Sequence, residues 1–477
     1  MSFTSGCTTI TIPSGHIPAS RGVADTLLPS SFNEPSQTTP PPRSSGPGKS
    51  FELPPGLPGV VSSTEQLKDP ALPPVTPRQD IPGETLTLAK LQEMASANNP
   101  ALRKAQADAD AAYGAMIQAG LHPNPTVGYQ ADQIQPWLTP RGTPGQQGAY
   151  INQLIKTANK LGLAQQVAGY DYLNAVVAAR RTQVDVMSQV RTSYFNVLVA
   201  QQAVEIHRAL VSLADEVYDL QKKQVRAGEA AAYEPLQLYA QAVQARNNLV
   251  QAEQASKAAW RQLTASLGQP NLPLQPLAGK AEHAPPEFDF VALEQSLEDH
   301  TELLTARNRQ LQAESNLKLQ QVTPYPDLST NVYMQYDNAA GTSQFGVQLG
   351  ISLPLYDRNQ GNIRQAQASL ASSGEAIQVV QNELISRLAE ARSRYESSKV
   401  LASNYRQLVL PSLTKAYRAM IRRYQVEPDK VQFNDIVVAQ QNLAQSMQAY
   451  LASLDAQWKA VVDLSAITQR DDLFPGK

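Results

Sequence analysis

Cysteine, histidine, charge and long apolar runs are all scarce in this chain, and each shortage closes off a class of function. The single cysteine, Cys7, cannot form an intramolecular disulfide. The five histidines (His16, His122, His207, His283 and His300) are scattered, and none stands at ligand spacing from another or from the cysteine, so no metal site is expected. Charged residues are only 17% of the 477, and the formal net charge is −2. The basic patch or stripe that would hold nucleic acid is therefore missing. No stretch approaches the roughly 20 apolar residues of a membrane helix, so entry into a membrane would use strands or a lipid anchor. A GxxxxGK[ST] phosphate loop is lacking, as is any set of nucleophile, base and orienting group. These gaps argue against an enzyme and against a bound cofactor.

At the N-terminus, Met1 to Gly6 supply neither the basic start nor the apolar core of a secretory signal. Yet Ser5-Gly6-Cys7-Thr8 reads like the end of a bacterial lipoprotein signal, with Thr4 where Leu is usual. One expectation is a start further upstream, with Cys7 as the acylated first residue of the mature chain. The other is an unmodified cysteine in a tail. Residues 1–84 are rich in Pro, Ser, Thr and Gly, with proline runs at 40–42, 54–55 and 73–74, and read as an extended arm.

From about Leu86 the composition turns to Ala, Gln and Leu, and two similar halves follow, offset by about 200 residues. Residues 85–275 are expected to form the first repeat, 276–470 the second, and 471–477 a tail. Leu121-His122-Pro123-Asn124-Pro125 closes a helical stretch in the first half, as Val322-Thr323-Pro324-Tyr325-Pro326 does in the second. Upstream, Asn99-Pro100-Ala101-Leu102 matches His300-Thr301-Glu302-Leu303. A period this long signals a duplicated domain and not a solenoid.

In a chain with 34 prolines, none falls between Pro144 and Pro235. About Leu163 to Ala227 can run as one helix there, and roughly 65 residues at 1.5 Å each reach about 100 Å. Its mate is expected over Glu234–Leu267, and the second pair over Ile363–Tyr424 and Lys430–Ile467, with a kink at Pro411. Val190, Val197, Val204, Val211, Tyr218 and Val225 recur every seven residues, and so do Val199, Ile206, Leu213 and Leu220. The two series are offset by two positions, hence about 200° round the helix. The last helix behaves likewise: Ile436, Leu443, Tyr450 and Leu464 form one seam, and Met447, Leu454 and Val461 another. A coiled-coil dimer needs one seam. Two opposed seams suit a stave with neighbours on both sides, although a long soluble bundle would also bury them.

The strands separate those readings. Leu328, Thr330, Val332, Met334 and Tyr336 alternate with Ser329, Asn331, Tyr333 and Gln335. After a polar turn at 337–341, Phe345, Val347, Leu349, Ile351 and Leu353 alternate with Gln344, Gly346, Gln348, Gly350 and Ser352. One apolar and one small polar face, about ten residues long, is the pattern of a transmembrane barrel hairpin. A weaker copy spans Thr126–Asp132 and roughly Gly148–Ile155, joined by a loop with Pro136, Trp137 and Pro140. Four strands cannot close a barrel, for which about eight is the practical minimum, and open edges are not tolerated in lipid. More than one copy of the chain must therefore assemble.

Over about residues 85–470 this ordered set resembles the TolC-like outer-membrane efflux proteins. The resemblance rests on the duplication, on Ile351-Ser352-Leu353-Pro354-Leu355-Tyr356-Asp357-Arg358-Asn359-Gln360-Gly361 leaving the last strand, and on Val409-Leu410-Pro411-Ser412-Leu413 in the third long helix. It rests also on the turns Arg226-Ala227-Gly228-Glu229 and Tyr424-Gln425-Val426-Glu427-Pro428 at the helix-hairpin tips. Two departures stand out. Glu427-Pro428 replaces a frequent glycine, and Thr157-Ala158-Asn159-Lys160-Leu161-Gly162 is no close copy of the second strand exit.

The resemblance implies a mainly α fold with a pair of transmembrane β hairpins. A homotrimer would pool four strands per protomer into a 12-stranded β-barrel above a long α-helical barrel. It also implies an outer-membrane exit duct docking a periplasmic adaptor and an inner-membrane pump. Gln335, Gln344, Gln348 and Ser352 would then line the pore. Gly228, Glu229, Glu427, Pro428 and Asp435 would meet the adaptor, although Gly228 also reads as a helix C-cap and Asp435 as a carboxylate favoured by a helix N-terminus. The rival readings are a periplasmic adaptor, which would carry one helical hairpin, and a coiled-coil structural protein. The cargo stays open among drugs, metal ions and polypeptides.

Overall fold

The structure is a computed structural model that describes residues 72–75, 85–132, 145–228, 231, 233–283, 285–427, 430–470 and 474. Cys7, Glu229, Pro428 and the loop with Trp137 lie outside the described residues. Chain order begins with α1 (Leu88–Asn98), α2 (Pro100–Gly120), β1 (Thr126–Asp132), β2 (Gln146–Ile155), α3 (Lys160–Ala227) and α4 (Glu234–Ser266). It continues with α5 (Phe290–Ser296), α6 (Thr301–Val322), β3 (Leu328–Asp337), β4 (Thr342–Ile351), α7 (Gln360–Asn404), α8 (Leu410–Val426) and α9 (Phe433–Thr468).

Both halves thus run helix, two strands, two long helices, and their joints match. Asn99 caps α2, its side-chain oxygen accepting from the Ala101 N–H at 2.8 Å; His300 caps α6, with Nδ1 accepting from the Glu302 N–H at 3.1 Å. Burial lowers the His300 pKa, against an upward pull from Glu302, and so favours the neutral ring this cap needs. The far ends of the helix pairs return to these caps. Asn99 donates to the Ser266 carbonyl at 2.8 Å, and Gln469 donates to the Thr301 hydroxyl at 2.7 Å.

The strand-to-helix exits agree at the residue before each helix, although their sequences differ. Asn159 and Asn359 each precede the first helical residue in the left-handed conformation, at φ 56° and 61°. Each offers its carbonyl to the N–H four residues on, Leu163 and Ile363, at 3.0 Å. Asparagine tolerates this backbone at low cost, so the two exits share the residue that opens the helix, whereas Ala158, also left-handed at φ 54°, has no counterpart at Arg358 and the departure at Thr157–Gly162 holds there.

At 68 residues, α3 runs on the order of 100 Å. Near the sheet it packs between α2 and α6; further down it packs between α4 and α9. This accounts for the two seams. Val190, Val197, Val211 and Tyr218 are buried, and Val199, Ile206, Leu213 and Leu220 are half-buried against the same cores. Pro411 is absorbed by a π-helical turn, Tyr405–Val409, where the Leu410 N–H reaches back to the Tyr405 carbonyl. The wider turn accommodates a ring that cannot donate and would crowd an α-helical carbonyl.

Two cores hold the subunit. The larger lies mid-length, where α1, α3, α4, α7 and α9 meet the segment linking the halves. There Phe195 stacks on Trp458 with centroids 4.0 Å apart, and the indole N–H donates to the Ala281 carbonyl at 2.7 Å. Arg191, only 1% exposed, donates to the Ser465 hydroxyl at 2.7 Å and lies 4.7 Å from the centre of the Phe474 ring. The smaller core (Val217, Tyr218, Tyr417, Tyr424, Ile436 and neighbours) brings the α3–α4 and α8–α9 hairpin tips to one end.

Candidate functional site

The four strands form one antiparallel sheet in the order β1-β2-β3-β4. Register places Val127, Ile151, Val332 and Val347 in one row across it, and Tyr129, Ala149, Met334 and Phe345 in the next. Most of these side chains lie bare on the single chain: Val127 is 70% exposed, Met334 63% and Phe345 73%. Beyond the strand ends, Leu353, Leu355 and Tyr356 are exposed as well. A soluble domain rarely leaves so continuous an apolar face open to water.

The other face is mostly polar, with two tyrosines set beside glycines. Its rows are Asp132, Gln146, Asp337 and Thr342; Gln130, Gly148, Gln335 and Gln344; Gly128, Tyr150, Tyr333 and Gly346; and Thr126, Asn152, Asn331 and Gln348. Of the residues singled out in the sequence, Gln335 and Gln344 are direct cross-strand partners, and Gln348 lies on the same face. Ser352 does not, because β4 begins and ends two residues earlier than the alternation suggested and stops at Ile351. Sequence reasoning named Asn331 and Tyr333 on this face but passed over Tyr150 and Asn152. The signal was available: β2 continues the period-two alternation back to Gln146, short of the glycine-rich loop.

Where sheet meets helices, Asp327 draws both halves together. It accepts from Lys156 Nζ and Lys160 Nζ, each at 2.8 Å, and from the Thr157 N–H at 3.2 Å. Burial pushes its pKa up, but these hydrogen bonds outweigh burial and hold it at about 2, against an ordinary 3.8. A depressed carboxylate stabilises the fold fully above its ordinary value and loses that contribution as pH falls through 3.8 towards 2. Asp327→Asn is therefore expected to cost about 1–2 kcal/mol at neutral pH, the range for a partly exposed charge-assisted bond. Thermal unfolding followed from pH 7 to pH 2 should show the variant approaching wild type only at the acid end. A constant difference down to pH 2 would contradict this.

At the opposite end, Gly228 takes φ +80°, and its N–H bonds back to the Gln224 and Val225 carbonyls, closing α3. Asp435 is exposed in the first turn of α9, where the helix dipole favours its charge. Glu427 pairs with Lys430 at 3.1 Å. Among the described residues no cluster of His, Cys, Asp and Glu could hold a metal ion, and no helix is long and apolar enough to cross a membrane.

Over residues 91–269, and again over 292–469, the sequence matches the outer membrane efflux protein family. The chain belongs to that family. The outer membrane efflux protein match falls once on each half, with the break at the linking segment. Among relatives, the cobalt-zinc-cadmium resistance protein CzcC of Cupriavidus metallidurans is 24% identical over 397 residues, covering 83% of this chain and 93% of its own. A membrane protein from Pseudomonas aeruginosa shares the fold with a TM-score of 0.68, covering 84% of this chain and 99% of its own at 17% identity. The outer membrane protein VceC of Vibrio cholerae does so with 0.65, covering 80% and 95% at 17% identity. The bare apolar face is then understood, since a family member of this kind is an outer-membrane efflux channel.

Proposed function

We propose that three copies of the chain form the passive exit duct of a tripartite efflux system, with a 12-stranded barrel in the outer membrane and a helical tube below it. One observation carries this reading: a sheet with a bare apolar face, a small polar face, and two edges, β1 and β4, without a partner strand among the described residues. Lipid tolerates no open edge, and pairing β4 of one copy with β1 of the next removes every edge. The helices agree. α2 and α4 flank one side of α3 and α7 and α8 end the other side, and Tyr113, Ile117, Val379 and Val400 on these outer helices are exposed as if awaiting a neighbour.

In this reading Gln335, Gln344 and Gln348 line the upper pore, with Ser352 just below the barrel. The tips with Gly228, Glu229, Glu427, Pro428 and Asp435 receive a periplasmic adaptor, which links the duct to an inner-membrane pump. Cys7, if acylated, adds a lipid anchor. Cargo diffuses through water and, among the described residues, meets no cluster able to chelate a metal; the name of CzcC puts divalent cations first among cargoes to test. Purified protein in planar bilayers should yield trimers and unitary conductance steps. An intact trimer that never conducts, even with its helix tips loosened by substitution, would overturn the duct.

A further inference from the structure

We infer that two glycine–tyrosine pairs on the polar face set the clear bore of the barrel by laying the tyrosine rings flat against the wall. The inference rests on the duct reading above. Gly128, Tyr150, Tyr333 and Gly346 occupy one row across the four strands. Tyr150 on β2 leans over β1, and Tyr333 on β3 leans over β4. A Cβ built on Gly128 would stand 2.5 Å from Tyr150 Cζ and Oη, and one on Gly346 would overlap Cζ and Oη of Tyr333. Neither glycine has a positive φ, so backbone conformation does not require glycine there. Space does. The rings occupy the room where the missing side chains would be, an arrangement that also covers otherwise weak strand glycines.

The geometry of the closed barrel makes this consequential. Twelve strands about 4.8 Å apart and tilted about 40° enclose a backbone radius of about 12 Å, and an inward tyrosine reaches roughly 6 Å from its Cα. Six upright rings in one row of a trimer would fill much of that cross-section; six flat rings leave it open. Tyr150 and Tyr333 are thus the residues that would narrow the bore if upright, and Gly128 and Gly346 are the residues that let them lie flat.

The hairpin turn after β3 marks the outer end, so Gln348 lies one row inward of the tyrosines as seen from the cell exterior. The test labels Gln348→Cys on intact cells, with the wild-type chain and its one cysteine, Cys7, as background. Two thiol reagents are used: a small charged methanethiosulfonate and a maleimide carrying a polyethylene glycol of about 2 kDa. Adding Gly346→Val and Gly128→Val should slow the bulky reagent at least tenfold and the small one less than twofold. Adding Tyr333→Ala and Tyr150→Ala to those valines should restore the bulky rate to within twofold of the Gln348→Cys parent. Heat-stable trimers on gels verify assembly. If the valine variants fail to assemble, Gly346→Ala with and without Tyr333→Ala carries the same comparison. Equal bulky rates in the parent and the assembled glycine variants would overturn the proposal. If instead even the small reagent never reaches the introduced thiol in an assembled trimer, the lumen reading itself fails, and the two failures are told apart.

Discussion

Val347→Arg and Met334→Arg are expected to keep the protein out of the outer membrane, whereas Gln348→Arg, one position along β4, is expected to assemble. Val347 and Met334 belong to the bare apolar rows, and Gln348 belongs to the opposite face. An arginine facing lipid near the bilayer midplane costs about 2–4 kcal/mol. In the proposed trimer three copies triple that, to about 6–12 kcal/mol per assembly, which is comparable to the whole stability of a typical folded domain. The same charge on the polar face stays in water if that face lines the proposed pore. Outer-membrane fractionation and heat-resistant oligomers on gels read the outcome directly. Were Val347→Arg to insert and assemble like wild type while Gln348→Arg did not, the faces would be assigned the wrong way round.

Trp458→Ala is expected to cost about 3–5 kcal/mol per subunit, the range for removing a large aromatic from a packed core. Trp458 is 3% exposed, stacks on Phe195 at an interplanar angle of 8°, and is the hydrogen-bond partner of the Ala281 carbonyl. It therefore joins α9, α3 and the segment between the halves. Truncation leaves a cavity and an orphaned carbonyl together. Trp458→Phe keeps the stack and loses only the bond, for an expected cost of about 1–3 kcal/mol. Urea unfolding of the detergent-solubilised protein should rank wild type, Trp458→Phe and Trp458→Ala in that order. Equal midpoints for the two variants would mean that the stack contributes nothing beyond the hydrogen bond.

Much of the wall was legible in advance because its signals are local. Period-two alternation placed β3 within one residue, and the proline gap placed α3 within three residues at its start. The seven-residue seams correctly demanded neighbours on two sides, and α3 has them. The β4 ends were misplaced by two residues because Ser352-Leu353 continues the alternation after the ladder has stopped. Alternation reports which residues could pair; only the length of the partner strand decides which do. The strand exits were misjudged for a related reason. Asn159 and Asn359 share a left-handed backbone before the helix, but their neighbours share little sequence, and Ala158 is left-handed where Arg358 is not, so comparing side chains concealed the one shared position.

What the sequence alone determined is the kind of element and the faces each must cover, because strand and helix periods belong to a single stretch of chain. What only the tertiary structure decided is who meets whom. The tyrosine rings over Gly128 and Gly346, the lysines gathered on Asp327 and the burial of Arg191 beside Phe474 all depend on register between distant segments. Register is set by strands and helices that approach from elsewhere in the chain, and no local pattern carries that information.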